Sequence, residues 1–159
     1  MKKQLEKTNV MRILDQGGIS YRSYCYLDSG VISGLDVARV LEQDPDQVFK
    51  TLVTIGHSGE HYVFVLPVSC ELDLKKAAFA VDEKSIHMVK SKELLPLTGY
   101  IHGGCSPLGM KKQFVTVIDE TAALYETICM SAGKIGYQVQ LCADDLARVL
   151  PFKFADITC

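Results

Sequence analysis

No run in this sequence approaches the roughly eighteen apolar residues that a membrane span requires. Glu6 and Asp15 also interrupt the region where a secretory signal would need its apolar segment, leaving Lys2, Lys3 and Lys7 as no more than a basic start. These absences predict a soluble, cytosolic protein without a membrane partner. There is no C-x-x-C and no Cys/His pair at zinc spacing, because Cys25, Cys70, Cys105, Cys129, Cys142 and Cys159 stand singly. Reduced thiols acting as small hydrophobes are the expectation. The histidines are as scattered, His57 and His61 flanking a turn and His87 and His102 lying far apart, so no metal and no cofactor is implied.

An excess of positive charge is also missing. Seventeen Lys and Arg face nineteen Asp and Glu, giving a net charge of −2. A nucleic-acid partner would have to be met by a local patch or through a second protein. No Pro/Ser/Gly tract, repeat or low-complexity segment divides the 159 residues, of which 48% are apolar. The sequence therefore predicts one domain over residues 1–159 around one core.

What is present alternates short helices with hairpins. Thr8 or Asn9 can cap a helix carrying Val10, Met11, Ile13 and Leu14 on one face, with Gly17-Gly18 as its end and residues 2–7 as a backward extension. Ile19, Tyr21 and residues 24–26 predict a strand leaving through Asp28-Ser29-Gly30, and Ser33-Gly34 precedes a short helix over 35–41. Residues 48–55 and 61–68 predict two strands joined by Gly56-His57-Ser58-Gly59, and Asp73 caps a helix over 74–80. A strand over 86–89 and a Ser91-capped helix through Leu95 follow. Further strands are expected over 114–118, 127–130 and 138–141, with a helix from Asp144-Asp145 to Leu150 and a last strand or packed tail around Phe152, Phe154 and Ile157. The class is α+β: a mixed, largely antiparallel, barrel-like sheet with helices packed outside.

Two features point to chemistry. Lys50 lies inside an otherwise apolar strand, sharing a side with Val48 and Leu52. Its ammonium must either snorkel to the rim or sit in a cleft as a ligand for an anion or carbonyl. Residues 98–112 hold four of the twelve glycines, a proline and the pair Lys111-Lys112. Gly103 and Gly104 can present consecutive N–H groups to an anion or a polarised carbonyl oxygen. The frame Gly104-Cys-Ser-Pro-Leu-Gly109 suggests a nucleotide phosphate loop, but Met110 and Lys112 stand at its decisive Lys and Ser/Thr positions, which excludes it. A second glycine turn, Ser131-Ala132-Gly133-Lys134-Ile135-Gly136, joins two strands so that its N–H groups could approach the first set.

With Phe49-Lys50-Thr51-Leu52, Glu71-Leu72-Asp73-Leu74-Lys75-Lys76-Ala77, Thr98-Gly99-Tyr100, Gly103-Gly104, Ser106-Pro107-Leu108-Gly109 and Ser131-Ala132-Gly133-Lys134 in order, residues 7–157 resemble the YbaK/EbsC family. The resemblance implies an aminoacyl-tRNA deacylase related to the editing domain of bacterial-type prolyl-tRNA synthetases. It implies removal of cysteine from mischarged tRNA(Pro), with Cys-tRNA(Cys) also accepted, and a transient complex with prolyl-tRNA synthetase. Lys50 matches the lysine that helps hold the terminal adenosine and aminoacyl ester. Gly103 and Gly104 match the loop facing the scissile carbonyl. Tyr26, Ser33, Gly34, Thr51, Ser106, Ser131, Ala132, Gly133 and Gln138 are the implied substrate-binding positions. Ile135 replaces a common Arg, and Gln138 stands where some members carry an acid, departures that bear on substrate choice.

The loops contain no Ser-His-Asp set, and nothing in the motif activates Cys105. The resemblance implies instead that the substrate's own sulfur attacks its carbonyl, releasing tRNA and a cyclic thiolactone, with the protein supplying position and an oxyanion site. Two other readings stay open: a relative that clears alanyl- or seryl-tRNA(Pro) with activated water, and a noncatalytic module binding aminoacyl-tRNA or a synthetase.

Overall fold

A computed structural model describes residues 7–159. Helix α1 (Asn9–Gln16) starts at Thr8, whose hydroxyl accepts the Met11 N–H at 3.3 Å, and buries Val10, Met11 and Leu14. The extended backbone of Thr8 stops the helix from running backwards through Lys7, and the rest of the predicted extension, residues 2–6, lies outside the described residues. Strand β1 (Tyr21–Cys25) leads through a 3-10 turn (Leu27–Ser29) to α2 (Gly34–Val40), capped by the Ser33 hydroxyl on the Asp36 N–H. The hairpin β2 (Phe49–Gly56) and β3 (His61–Pro67) is followed by α3 (Leu74–Ala80), where Asp73 accepts from the Lys75 and Lys76 N–H groups.

Strand β4 (Ile86–Met88) and α4 (Ser91–Thr98) precede the long glycine loop. Ser91 does not cap α4 but is its first residue, and the helix passes through Pro96 to Thr98. Proline removes one interior hydrogen bond. The helix survives because Lys92, whose carbonyl loses that donor, is exposed, while the Thr98 hydroxyl and the Gly99 N–H donate to the carbonyls of Leu94 and Leu95. Strands β5 (Val115–Asp119), β6 (Ile128–Ser131), β7 (Tyr137–Leu141) and β8 (Lys153–Ala155) complete the chain. The segments after β5 and β7 are 3-10 turns, Glu120–Leu124 and Ala143–Arg148.

The strands form two sheets rather than a closed barrel. One is antiparallel, β1-β7-β6, and the other is mixed, β4-β2-β3-β5-β8, with β5 parallel to both its neighbours. They meet at a single parallel bridge, Val48 to Cys129, where the Cys129 N–H reaches the Gln47 carbonyl at 3.0 Å. Beyond that bridge β6 turns away at Ser131 into the second glycine turn, so pairing with β2 stops and the sheets part.

Strand β3 shows how the core is built. Val63 and Val65 enter a cluster with Val10, Leu14, Phe49, Ile118, Met130 and Val139 that spans both sheets. Tyr62, Phe64 and Leu66, on the other face, pack with Ala77, Ala78, Ile86, Val117 and Ile157 under α3. Period-two alternation with both faces covered makes the strand apolar throughout, each filled position contributing about 1.5–3 kcal/mol.

The β2–β3 hairpin is tied to the α3–β4 link by Glu83, whose carboxylate accepts from the Ser58 hydroxyl, from the Tyr62 phenol at 2.6 Å and from the Ser58 N–H at 3.0 Å. These bonds, the Ser58 hydroxyl first, hold the Glu83 carboxyl below its ordinary range, and the same contact pushes the Tyr62 phenol up to about 12. A depressed carboxyl contributes stability above its unfolded pKa that is lost as pH falls through the folded one. Urea unfolding should therefore separate wild type from Glu83→Gln at pH 7, and the gap should narrow as pH falls below 4.5.

Candidate active site

A cavity of about 340 Å³ opens where the sheets part, a volume within the usual range of small-molecule sites. Strand β2 forms one wall. Val48, Lys50 and Leu52 lie on one side of it by alternation, and all three line the cavity. Lys50 is half-buried opposite Leu66 in the ladder, and its ammonium makes no hydrogen bond or ion pair among the described residues. Thr51 lines the same wall.

Tyr26, Ser33 and Gly34 line the facing wall. Tyr26 is held there by its N–H on the Gly136 carbonyl at 2.8 Å, and burial keeps its phenol protonated by raising its pKa, against an opposing Gly136 backbone hydrogen bond. The Ser33 hydroxyl is committed to capping α2. Gly34 brings α2 close to Val68, since a methyl there would fall 2.3 Å from a Val68 methyl.

The two glycine turns do meet. A methyl on Gly104 would lie 3.1 Å from the Ile135 backbone nitrogen, so the first turn rests on the second. The two glycines of the pair are placed differently. Gly103, in the left-handed region at φ +89°, lines the cavity, whereas Gly104 does not, and its N–H is spent on the Ile101 carbonyl at 3.0 Å. The N–H groups of Gly103 and Cys105 make no hydrogen bond among the described residues, and both residues line the cavity. The donors flanking Gly104 replace the consecutive pair expected from sequence.

Ser131 and Gln138 reach the wall. The Ser131 hydroxyl accepts the Gly133 N–H at 3.1 Å. Gln138, 2% exposed, exchanges two amide hydrogen bonds with Gln43, at 2.8 and 2.9 Å. Ser106, Ala132 and Gly133 stand behind the wall. The buried Ser106 hydroxyl accepts the Leu108 N–H and shapes the turn, Ala132 belongs to the core, and Gly133 packs against Val10 and Tyr100.

Sequence reasoning passed over Gln43, Glu71, His102 and the apolar residues Ile32, Leu35 and Leu94. Except for Gln43, all of these line the cavity. Glu71 is exposed and its carboxylate makes no hydrogen bond or ion pair among the described residues, so an unpaired anion and an unpaired cation share one site. Cys105 lines the cavity at 9% exposure, and burial pushes its thiol up to about 12, the same value as for buried Cys129. Neither forms a thiolate near neutral pH. A disulfide reagent at pH 8 should label exposed Cys25 and Cys159 in the native protein and reach Cys105 and Cys129 only after denaturation.

Residues 32–149 match the model of the aminoacyl-tRNA editing domain. Over 158 residues, 99% of this chain and 96% of the relative, the sequence is 43% identical to EbsC of Enterococcus faecalis, provisionally named a Cys-tRNA(Pro)/Cys-tRNA(Cys) deacylase. Over 84 residues, 53% of this chain but only 15% of the relative, it is 33% identical to the proline–tRNA ligase of Pelobacter propionicus. Among solved structures, a hypothetical protein superposes with a TM-score of 0.87 at 19% identity, over 97% of this chain and 100% of the other. A protein provisionally titled a trans-editing enzyme for prolyl-tRNA synthetase gives 0.80 at 22% identity, over 94% of each chain. At these identities the two structures establish likeness of fold. No helix among the described residues is long and apolar enough to cross a membrane.

Proposed function

We propose that this chain, which belongs to the aminoacyl-tRNA editing domain family, is a trans-acting deacylase that removes cysteine from mischarged tRNA(Pro) and accepts Cys-tRNA(Cys). The observation that carries this reading is the pairing of an unpartnered Lys50 ammonium and free N–H groups at Gly103 and Cys105 with the absence, among the described residues, of any activated protein nucleophile around the cavity. Cys105 is held as a thiol, Ser33 serves a helix cap and Ser131 a turn.

An aminoacyl ester has a good leaving group and needs its carbonyl polarised more than it needs a protein base. In the proposed reaction the substrate's side-chain sulfur bonds to its own carbonyl carbon. The ester C–O bond to the terminal ribose breaks, the ribose oxygen takes the proton the thiol gives up, and a four-membered thiolactone leaves free tRNA behind. Lys50 holds the terminal adenosine and ester, and Gly103 and Cys105 donate to the oxyanion. Glu71 offers the cavity's unpaired carboxylate to the α-ammonium of the aminoacyl group. A required substrate thiol excludes alanine and proline by chemistry, which a small apolar pocket cannot do by fit alone. Prolyl-tRNA synthetase is the proposed transient partner that delivers the charged tRNA, and the cytosol is where both occur.

The test is loss of the amino acid from tRNA(Pro) charged separately with Cys, Ala, Ser and Pro. The reading predicts rapid loss of Cys alone, kept by Cys105→Ala. Comparable loss of Ala or Ser would replace substrate-thiol chemistry with an activated water.

A further inference from the structure

The deacylase chemistry leaves the Lys111-Lys112 pair unused, and the fold sets that pair beside other cations. Helix α4 divides two spaces. Leu94 lines the cavity, whereas Lys92, Glu93, Pro96 and Leu97 line a shallow groove on the outside, completed by Ile55 and His61. At the end of α4 the Lys111 N–H donates to the Thr98 carbonyl at 3.0 Å, and its side chain crosses Gly99, where an added methyl would lie 3.4 Å from Lys111 Cγ. Lys112 Nζ stands 5.9 Å from the centre of the Phe114 ring, which itself lies 5.6 Å from the His61 ring. His87 sits opposite Ile55 in the β2–β4 ladder, and Lys90 is the N-terminal flank of α4.

Lys90, Lys92, Lys111 and Lys112 are all exposed, and none is ion-paired among the described residues. Elsewhere Lys7, Arg39, Lys76 and Arg148 pair with Asp15, Asp36, Asp156 and Asp145, while Arg12, Arg22, Lys75 and Lys84 are also without an ion pair among the described residues but do not line the groove. Glu93 lines the groove and Glu60 precedes His61, and neither is ion-paired with any of the four lysines. A chain with a net charge of −2 has thus gathered unneutralised cations on one face, one helix away from its cavity.

We propose that this face, Lys90 and Lys92 on α4 with Lys111 and Lys112 behind it, binds the acceptor-stem phosphates of the tRNA whose 3′ end occupies the cavity. The proposal rests on the deacylase reading, which places an ester at the end of a polyanion inside the cavity and therefore phosphates just outside it. Lysine heads in solvent bind phosphate as point charges without reading sequence, so the face gives affinity and register rather than choice of tRNA.

The experiment compares wild type with the Lys90→Gln/Lys92→Gln/Lys111→Gln/Lys112→Gln protein, with Arg22→Gln/Lys75→Gln as a charge control away from the groove. Fluorescence anisotropy with uncharged tRNA(Pro) reads the face whether or not any ester is cleaved. Removing one lysine–phosphate interaction lowers the slope of log affinity against log salt by about one. The quadruple variant should bind about tenfold or more weakly at low salt, with a slope smaller by about three to four, while the control changes neither. Cysteinyl adenosine, which has no stem, should be cleaved equally by all three proteins. Unchanged tRNA affinity and salt slope in the quadruple variant would overturn the proposal, as would an equal loss in the control. Failure of wild type to cleave either ester would sink the deacylase reading separately.

Discussion

Lys50→Ala is expected to cost at least about a hundredfold in kcat/KM for Cys-tRNA(Pro), the scale on which loss of one electrostatic contact to a transition state is felt. The same change should leave the melting temperature unchanged. The two outcomes share a cause. Lys50 is a half-buried cation between Val48 and Leu52 on the cavity wall with no partner among the described residues, so its removal breaks no ion pair or hydrogen bond of the fold. Alanine leaves the fold's bonds intact and removes the charge that the proposed reaction sets against the ester. Arginine should not restore the rate, because its planar fork presents a wider, weakly hydrated group where a point charge is held. Steady-state kinetics with a thermal melt on the same preparation checks both halves, and a rate within a few-fold of wild type would remove Lys50 from the site.

Gly103→Ala is the second large effect. At φ +89° a side chain costs about 1–2 kcal/mol, and the new methyl would fall 2.4 Å from an Ile32 methyl at the cavity wall. Ile32 has to turn and the loop has to move, which displaces the Gly103 and Cys105 N–H groups together. A loss of roughly tenfold to a hundredfold in turnover is expected, since misplaced donors lose much of their value. Gly59→Ala separates strain from site. Its φ is +91°, with nothing within 4 Å of the added methyl, and it lies in the β2–β3 turn away from the cavity. Both variants should lose stability in denaturant unfolding, Gly103→Ala by more because of the Ile32 clash, and only Gly103→Ala should lose activity.

Local chemistry was legible in the sequence wherever a few adjacent residues decide the structure. The Thr8 and Asp73 caps, the hairpin at Gly56-His57-Ser58-Gly59 and the strand around Lys50 need no distant partner to be recognised. Recognition of the ordered motifs then brought Tyr26, Ser33, Gly34, Lys50, Gly103, Ser131 and Gln138 to one cavity. What stayed hidden depends on contacts across the chain. Gln43 joins Gln138 over 95 residues, Glu71 reaches the wall from the segment before α3, and the parallel pairing of β3 with β5 skips three elements, α3, β4 and α4. The barrel-like sheet expected from the mixture of hairpins, short helices and loops is two sheets joined at the Val48–Cys129 bridge, because β6 ends at Ser131 and turns away. The glycine pair misled in a finer way. Both residues offer free backbone in sequence, but the turn that aims Gly103 consumes the N–H of Gly104.

The central claim is that the cavity turns over an aminoacyl ester rather than merely holding one. Multiple-turnover release of cysteine from Cys-tRNA(Pro), with substrate in large excess over protein, tests it directly. Catalytic deacylation predicts release of every bound cysteine at a rate proportional to protein and lost with Lys50→Ala. Tight binding of the charged tRNA with cysteine still attached, at wild-type Lys50, would contradict it and make the protein a binding module.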